Sequence, residues 1–329
     1  MLELSLKEFK ERFYNDLIEI HWKHWSAFGV STNVKPERYW IIDLEPLIIS
    51  TLAIGLSDKR LLSSSLEWLI KNGEWMNLSR LKRIMNFFTE PFPGVKEPLI
   101  TPEVFGLLVD TYNKNARNKI NFKKVEPYGT EDNKIKEYKS IFNNFRVRGI
   151  VTEPKLRDPS LLQILLRGFF GIDAHVETLI YLLVNDGGNS NFIAREIFCN
   201  QRNVYSILER WKEVQIVTKI SGTKAASYSL NRKKELLTAV GLKGIPSYLN
   251  WTRTFMFLDR LAVALSTSPW SEDEYLLSSL FRDLSNEAKS IGGVLNVKVP
   301  EPTSYPGKKY FGPFALGALN ILKQLRRSS

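Results

Sequence analysis

The stretch that decides the fold reads Ile193-Ala194-Arg195-Glu196-Ile197-Phe198-Cys199-Asn200-Gln201-Arg202-Asn203-Val204-Tyr205-Ser206-Ile207-Leu208. Its second half predicts a helix from about Gln201 to Glu213. Val204, Ile207, Leu208 and Trp211 recur there at i, i+3, i+4 and i+7, which makes one apolar stripe. Such a stripe needs partners, and the flanking sequence supplies them. A short helix capped by Asn189 or Ser190 turns Ile193, Ala194 and Ile197 inward, and Cys199-Asn200 makes a tight turn between the two helices. Upstream, Asp173 caps a helix whose Val176, Leu179, Ile180 and Leu183 face a core, and Asp186-Gly187-Gly188 turns the chain. Downstream, Ile216 to Ile220 and Ala225 to Leu230 flank Ser221-Gly222-Thr223-Lys224, the pattern of a β-hairpin with a lysine at its tip. The predicted order over residues 174–230 is three helices followed by a hairpin.

The stripe leaves Gln201, Arg202, Asn203, Tyr205, Ser206 and Glu209 pointing outward on the third helix. Gln, Asn and Arg are the side chains that make paired hydrogen bonds to adenine and guanine edges in the major groove. Lys219, Lys224 and the Arg232-Lys233-Lys234 run are placed to hold phosphates on either side. From Ser190 to Lys234 there are nine basic and three acidic residues, a net of +6. The candidate contact set for double-stranded DNA is therefore Asn200, Gln201, Arg202, Asn203, Tyr205, Ser206, Arg210, Lys219, Lys224, Arg232, Lys233 and Lys234.

With these residues in view, the segment from about 172 to 232 resembles the winged-helix family of bacterial and archaeal transcriptional regulators, of the ArsR and MarR sort. Ala194 matches the family's small residue where two helices cross, and Val204 and Leu208 match its buried recognition-helix positions. The likeness covers about a sixth of the chain. It implies duplex DNA recognition by the third helix, regulation of transcription, and a homodimer that reads two half-sites. The sequence departs from the pattern at the turn leaving the recognition helix. The family has glycine there, where φ > 0 is wanted, and this chain has Val214-Gln215. Either the turn differs or Gln215 is strained.

The rest of the chain is mainly α in pattern. A helical N-terminal domain is expected over 1–98, a helix and basic linker over 99–157, the winged helix over 158–242 and a C-terminal helical region over 243–329. Phe9, Phe13, Leu17 and Ile20 mark the first helix, Asp43 an N-cap, and Thr101-Pro102 and Asp158-Pro159 two further helix starts. Residues 114–148 hold ten basic and four acidic residues and read as a loop or a frayed helical linker, either a solvated face or a phosphate-contacting arm. Ser271-Glu272-Asp273-Glu274 reads as a capping box, with Trp270 stapled onto Tyr275. Trp251, Phe255, Phe257, Leu258, Leu261, Leu276, Leu277, Leu280 and Phe281 serve either a dimer surface or internal packing.

Composition sets the outer bounds. The 329 residues suit two or three domains, and 43% hydrophobic content suffices for packed cores. A net charge of +11 raises the weight of a polyanionic partner. A single cysteine, Cys199, rules out an internal disulfide and a cysteine-based zinc site, and points to a reducing compartment. The charged N-terminus is unlike a signal peptide, and no apolar run reaches the ~18–20 residues that span a bilayer, so a cytoplasmic protein with no membrane partner is expected. His21 and His24 lie i, i+3 on an aromatic helix, a weak metal signal beside the structural reading. Gly187-Gly188 lacks the Lys-Ser/Thr of a phosphate loop. No catalytic signature is visible, so no enzyme, cofactor or metal is expected. The alternative function is a protein-interaction or antitoxin-like partner that uses the helical domain. An enzyme merely targeted to DNA by its winged helix comes third.

Overall fold

A computed structural model describes residues 4–90, 98–121, 133–221, 225–242, 244 and 247–327. The chain is mainly helical. In order run α1 (Leu6–Ala27), α2 (Leu44–Ala53), α3 (Lys59–Asn72), α4 (Leu78–Thr89), α5 (Pro102–Asn115), α6 (Asn133–Asn143), α7 (Leu162–Phe170) and α8 (Ala174–Val184). Then come α9 (Ser190–Glu196), α10 (Gln201–Glu213), β1 (Val217–Ile220), β2 (Ser227–Leu230) and α11 (Lys233–Ala239). The chain closes with α12 (Trp251–Ser266), α13 (Glu274–Asp283), α14 (Ser285–Leu295) and α15 (Phe311–Leu325).

Two apolar cores organise these elements. The first joins both ends of the chain, α1 to α6 with α12 to α15. The α1 stripe of Phe9, Phe13, Leu17 and Ile20 is buried, and the Phe9 ring meets Phe281 at 6.1 Å and Phe311 at 5.9 Å. Trp68 packs on Phe28 with ring centroids 5.1 Å apart, and its indole N–H donates to the Phe28 carbonyl at 2.8 Å. Trp251, Phe255, Phe257, Leu258, Leu261, Leu277, Leu280 and Phe281 are buried in this core, so the apolar stripe of the C-terminal helices packs within the chain. The second core gathers α8 to α11 and the hairpin, joined by Ile41 and by Leu162 and Leu166 of α7.

Several local expectations are refined or changed. Of the two readings of the basic linker, part of it takes the helical one, and as a packed rather than a frayed helix: in α6, Tyr138 and Phe142 are buried, and the helix packs on α5 and α3. The lysines between its apolar residues obscure their three- and four-residue spacing in the sequence. Residues 122–132 of that segment lie outside the described residues. Asp43 starts α2 without a side-chain cap bond, because Arg80 takes its carboxylate. Asp273, not Ser271, caps α13 through the Tyr275 amide at 2.7 Å, and Tyr275 is exposed.

The cores meet at a buried ion cluster. Arg167 of α7 forks onto Glu45 with two bonds of 2.8 Å and also reaches Glu177 of α8. Arg80 of α4 binds Glu45 at 2.7 Å and Asp43. Burial works against charge on Glu45, yet Arg167 and Arg80 hold it down at about 2. Burial outweighs the same arginines at Glu177 and pushes its carboxyl up. Two guanidiniums face three carboxylates here, and the third carries the excess charge that a low-dielectric site resists.

Candidate nucleic-acid interface

The candidate element around α10 is built from the turn inward. Asn200 caps α10 by accepting the Arg202 amide at 2.9 Å, so its side-chain oxygen is engaged in the cap. Val204, Ile207, Leu208 and Trp211 are buried in the second core. The opposite face exposes Gln201, Arg202, Asn203, Tyr205, Ser206 and Arg210. Gln201 donates to the Ser190 hydroxyl at 3.2 Å, which ties the start of α10 to the start of α9. The start of α8 borders the same face, where Asp173 and His175 line a shallow hollow with Asn203, Ser206 and Arg210.

The hairpin flanks α10. β1 and β2 pair antiparallel with Val217 opposite Leu230 and Ile220 opposite Ser227. The link between α8 and α9 joins β2 through an isolated bridge, since Gly188 and Tyr228 exchange backbone bonds of 3.0 and 2.9 Å. Glycine is required next to it. Gly187 has φ +134°, and a Cβ there would lie 2.4 Å from the Tyr228 carbonyl oxygen. Leaving α10, Gln215 adopts φ +59°, so the turn keeps the left-handed geometry without the glycine. Asn231 braces it by donating to the Gln215 carbonyl at 2.9 Å.

Not every expected cation is available. Glu209 does not face solvent freely, because Lys219 donates to it at 2.6 Å and the Tyr228 hydroxyl donates to it as well. These bonds hold the Glu209 carboxyl below, and the Lys219 ammonium above, their ordinary ranges. Lys219 is therefore committed between the hairpin and α10. Lys233 donates to the Asn185 carbonyl at 2.6 Å, which ties α11 to the end of α8. Arg232, with φ +51°, and Lys234 are exposed. Lys224 lies outside the described residues.

Sequence reasoning missed the attachment of this element to the helical body. Arg80 donates through Nε to the Ile197 carbonyl at 2.8 Å, at the end of α9. Phe198, in the α9–α10 turn at φ +55°, is buried with the Phe87 ring edge-on at 5.0 Å. Asn250 donates to the Glu196 carbonyl at 3.1 Å, and Arg253 binds the Glu196 carboxylate at 2.8 Å. These contacts span 54 to 117 residues of sequence. The one available signal was polar residues at apolar-stripe positions, as with Arg80 in α4.

Elsewhere the one thiol and two of the histidines are enclosed. Burial pushes the Cys199 thiol up to about 12, which keeps it protonated at neutral pH. His21 and His24 are fully buried in the first core. Among the described residues no group of three or more His, Cys, Asp or Glu is placed to hold a metal ion, and no helix is long and apolar enough to cross a membrane. No protein-family model, curated protein or solved structure matches the chain.

Proposed function

We propose that the chain binds double-stranded DNA with α10 in the major groove and acts as a transcriptional regulator. The observation that carries this reading is the division of α10. Its inner stripe is consumed by the core, while Gln201, Arg202, Asn203, Tyr205, Ser206 and Arg210 stand exposed on the other face. Those side chains match the donor and acceptor pattern of base edges. The hairpin and Arg232 and Lys234 give the flanking elements for the backbone. A homodimer on two half-sites belongs to the same proposal. It would need a surface other than the apolar stripe of α12 and α13, which packs within the chain.

The test is replacement of Arg202 and Asn203 together by Ala. Both are exposed, so folding should be unaffected. Specific affinity should fall by ~1–3 kcal/mol for each good base pairing that the substitutions abolish. Unchanged affinity for a selected genomic fragment, in a variant that melts like the parent, would remove α10 as the reading helix.

A second reading, protein partnership through the helical body, rests on Phe169 and Phe170 at the end of α7 and Ile172 in the link to α8, all three exposed. A complex with a protein partner that survives high salt would favour it, because apolar contacts are not screened.

A further inference from the structure

α4 runs beside the turn that launches the recognition helix. Residues 80, 83 and 87 fall on one side of it at i, i+3 and i+7. The outer two touch the turn directly. Arg80 donates to the Ile197 carbonyl at 2.8 Å, and Phe87 meets the Phe198 ring at 5.0 Å. Arg83 lies between them on the same stripe and is exposed. It has no ion-pair or hydrogen-bond partner among the described residues. The neighbouring cations are committed: Arg80 to Asp43 and Glu45, and Arg253, 5.9 Å from the Phe198 ring on α12, to Glu196. Phe198 is two residues before Asn200, the cap of α10. The stripe therefore presents one uncommitted guanidinium beside the N-terminal end of α10, the end that enters the groove and where the helix dipole is positive.

Resting on the DNA-binding reading of α10, we propose that α4 is a second part of the duplex interface, with Arg83 neutralising a backbone phosphate beside the recognition helix. The helical body is then a participant in binding. Arg83 contributes affinity without sequence preference, because a phosphate is the same at every base pair. Arg80 and Phe87 set where that contact falls by pinning α4 to the turn.

The experiment uses the full chain. Binding of the parent, Arg83→Ala, Arg83→Lys and the Arg202→Ala, Asn203→Ala double variant is measured on a selected fragment and a random duplex, from 50 to 200 mM salt. Each phosphate contact adds about 0.9 to the slope of log affinity against log salt, so over this fourfold range Arg83→Ala should lose about 3.5-fold less affinity than the parent. The change should be equal on both duplexes, with an unchanged melting temperature, and Arg83→Lys should retain the parental slope. If the double variant loses specific binding but Arg83→Ala keeps the parental slope, α4 is not a contact surface and the α10 reading stands. If the parent binds neither duplex, the α10 reading fails and this inference fails with it.

Discussion

His24 is held fully buried in α1 with neither ring nitrogen hydrogen-bonded among the described residues, its ring edge-on to Trp251 at 4.4 Å. Burial first, then the nearby His21 and Lys23, drives its imidazole well below the ordinary range. His21 one turn earlier is lowered to about 4 by burial, yet it is satisfied. Its Nδ1 donates to the Leu17 carbonyl at 2.8 Å, and Nε2 lies 2.8 Å from the Ser50 hydroxyl, which is 2.9 Å from Asp259. Burial pushes Asp259 well up, toward the neutral form, so a chain of neutral groups crosses the core. The two kinds of group act oppositely with pH. Below about 6.5 the unfolded chain takes up protons that the buried histidines refuse, so stability falls as pH drops toward 4. Asp259 keeps a proton that the unfolded chain has released above about 3.8, so it favours folding toward acid. His24→Leu removes two unpaired nitrogens at similar volume. It should raise stability at pH 7 by ~1–3 kcal/mol and lessen the decline between pH 6.5 and 4. Denaturant melts of parent and variant at pH 7 and pH 5 check this, and an identical pH dependence in both would sink it.

At the scale of elements, the turn between α10 and β1 shows a rule broken at a cost. Gln215 holds φ +59°, a region where a side chain is disfavoured by roughly 1–2 kcal/mol. It persists because the Asn231 amide and the paired strands hold the turn from the far side. Gln215→Gly should therefore stabilise the fold, by about 1 kcal/mol once the greater freedom of glycine in the unfolded chain is counted. On the proposed DNA-binding reading, affinity for a duplex should not change, since the turn's geometry is already the one glycine would adopt. A lower melting temperature for the glycine variant would show that the Gln215 side chain contributes more than its backbone costs. α10 itself was legible because a stripe at i, i+3, i+4, i+7 has one physical meaning. α6 was not legible, because its buried Tyr138 and Phe142 sit among lysines that exposed sequence also carries.

Across the whole molecule, the ion cluster lies where the two cores meet. Arg167 is the bridge, with its fork on Glu45 from the first core and its second contact on Glu177 of α8. Arg167→Ala would leave Glu177 without its arginine and Glu45 with Arg80 alone, and removing one partner of a buried pair costs roughly 3–5 kcal/mol. Chemical denaturation should report a destabilisation of that size. A value below about 1 kcal/mol would mean that apolar contacts of Leu162, Leu166 and Ile41 join the cores unaided. The sequence by itself determined the helical class, the order of three helices and a hairpin over residues 174–230, and the exposed polar face of α10. All of these follow from periodicity, caps and turns, which act over a few residues and so leave local traces. Tertiary structure alone decided that α1 and α15 share a core, that Lys219 is bound to Glu209, and that Arg80 and Phe87 clasp the turn before α10. The first and last of these join residues far apart in the chain, and the Lys219–Glu209 pair joins a strand to the helix before it across a turn. A charge or an aromatic ring has no period that names its partner, and only the packed backbone brings the two together.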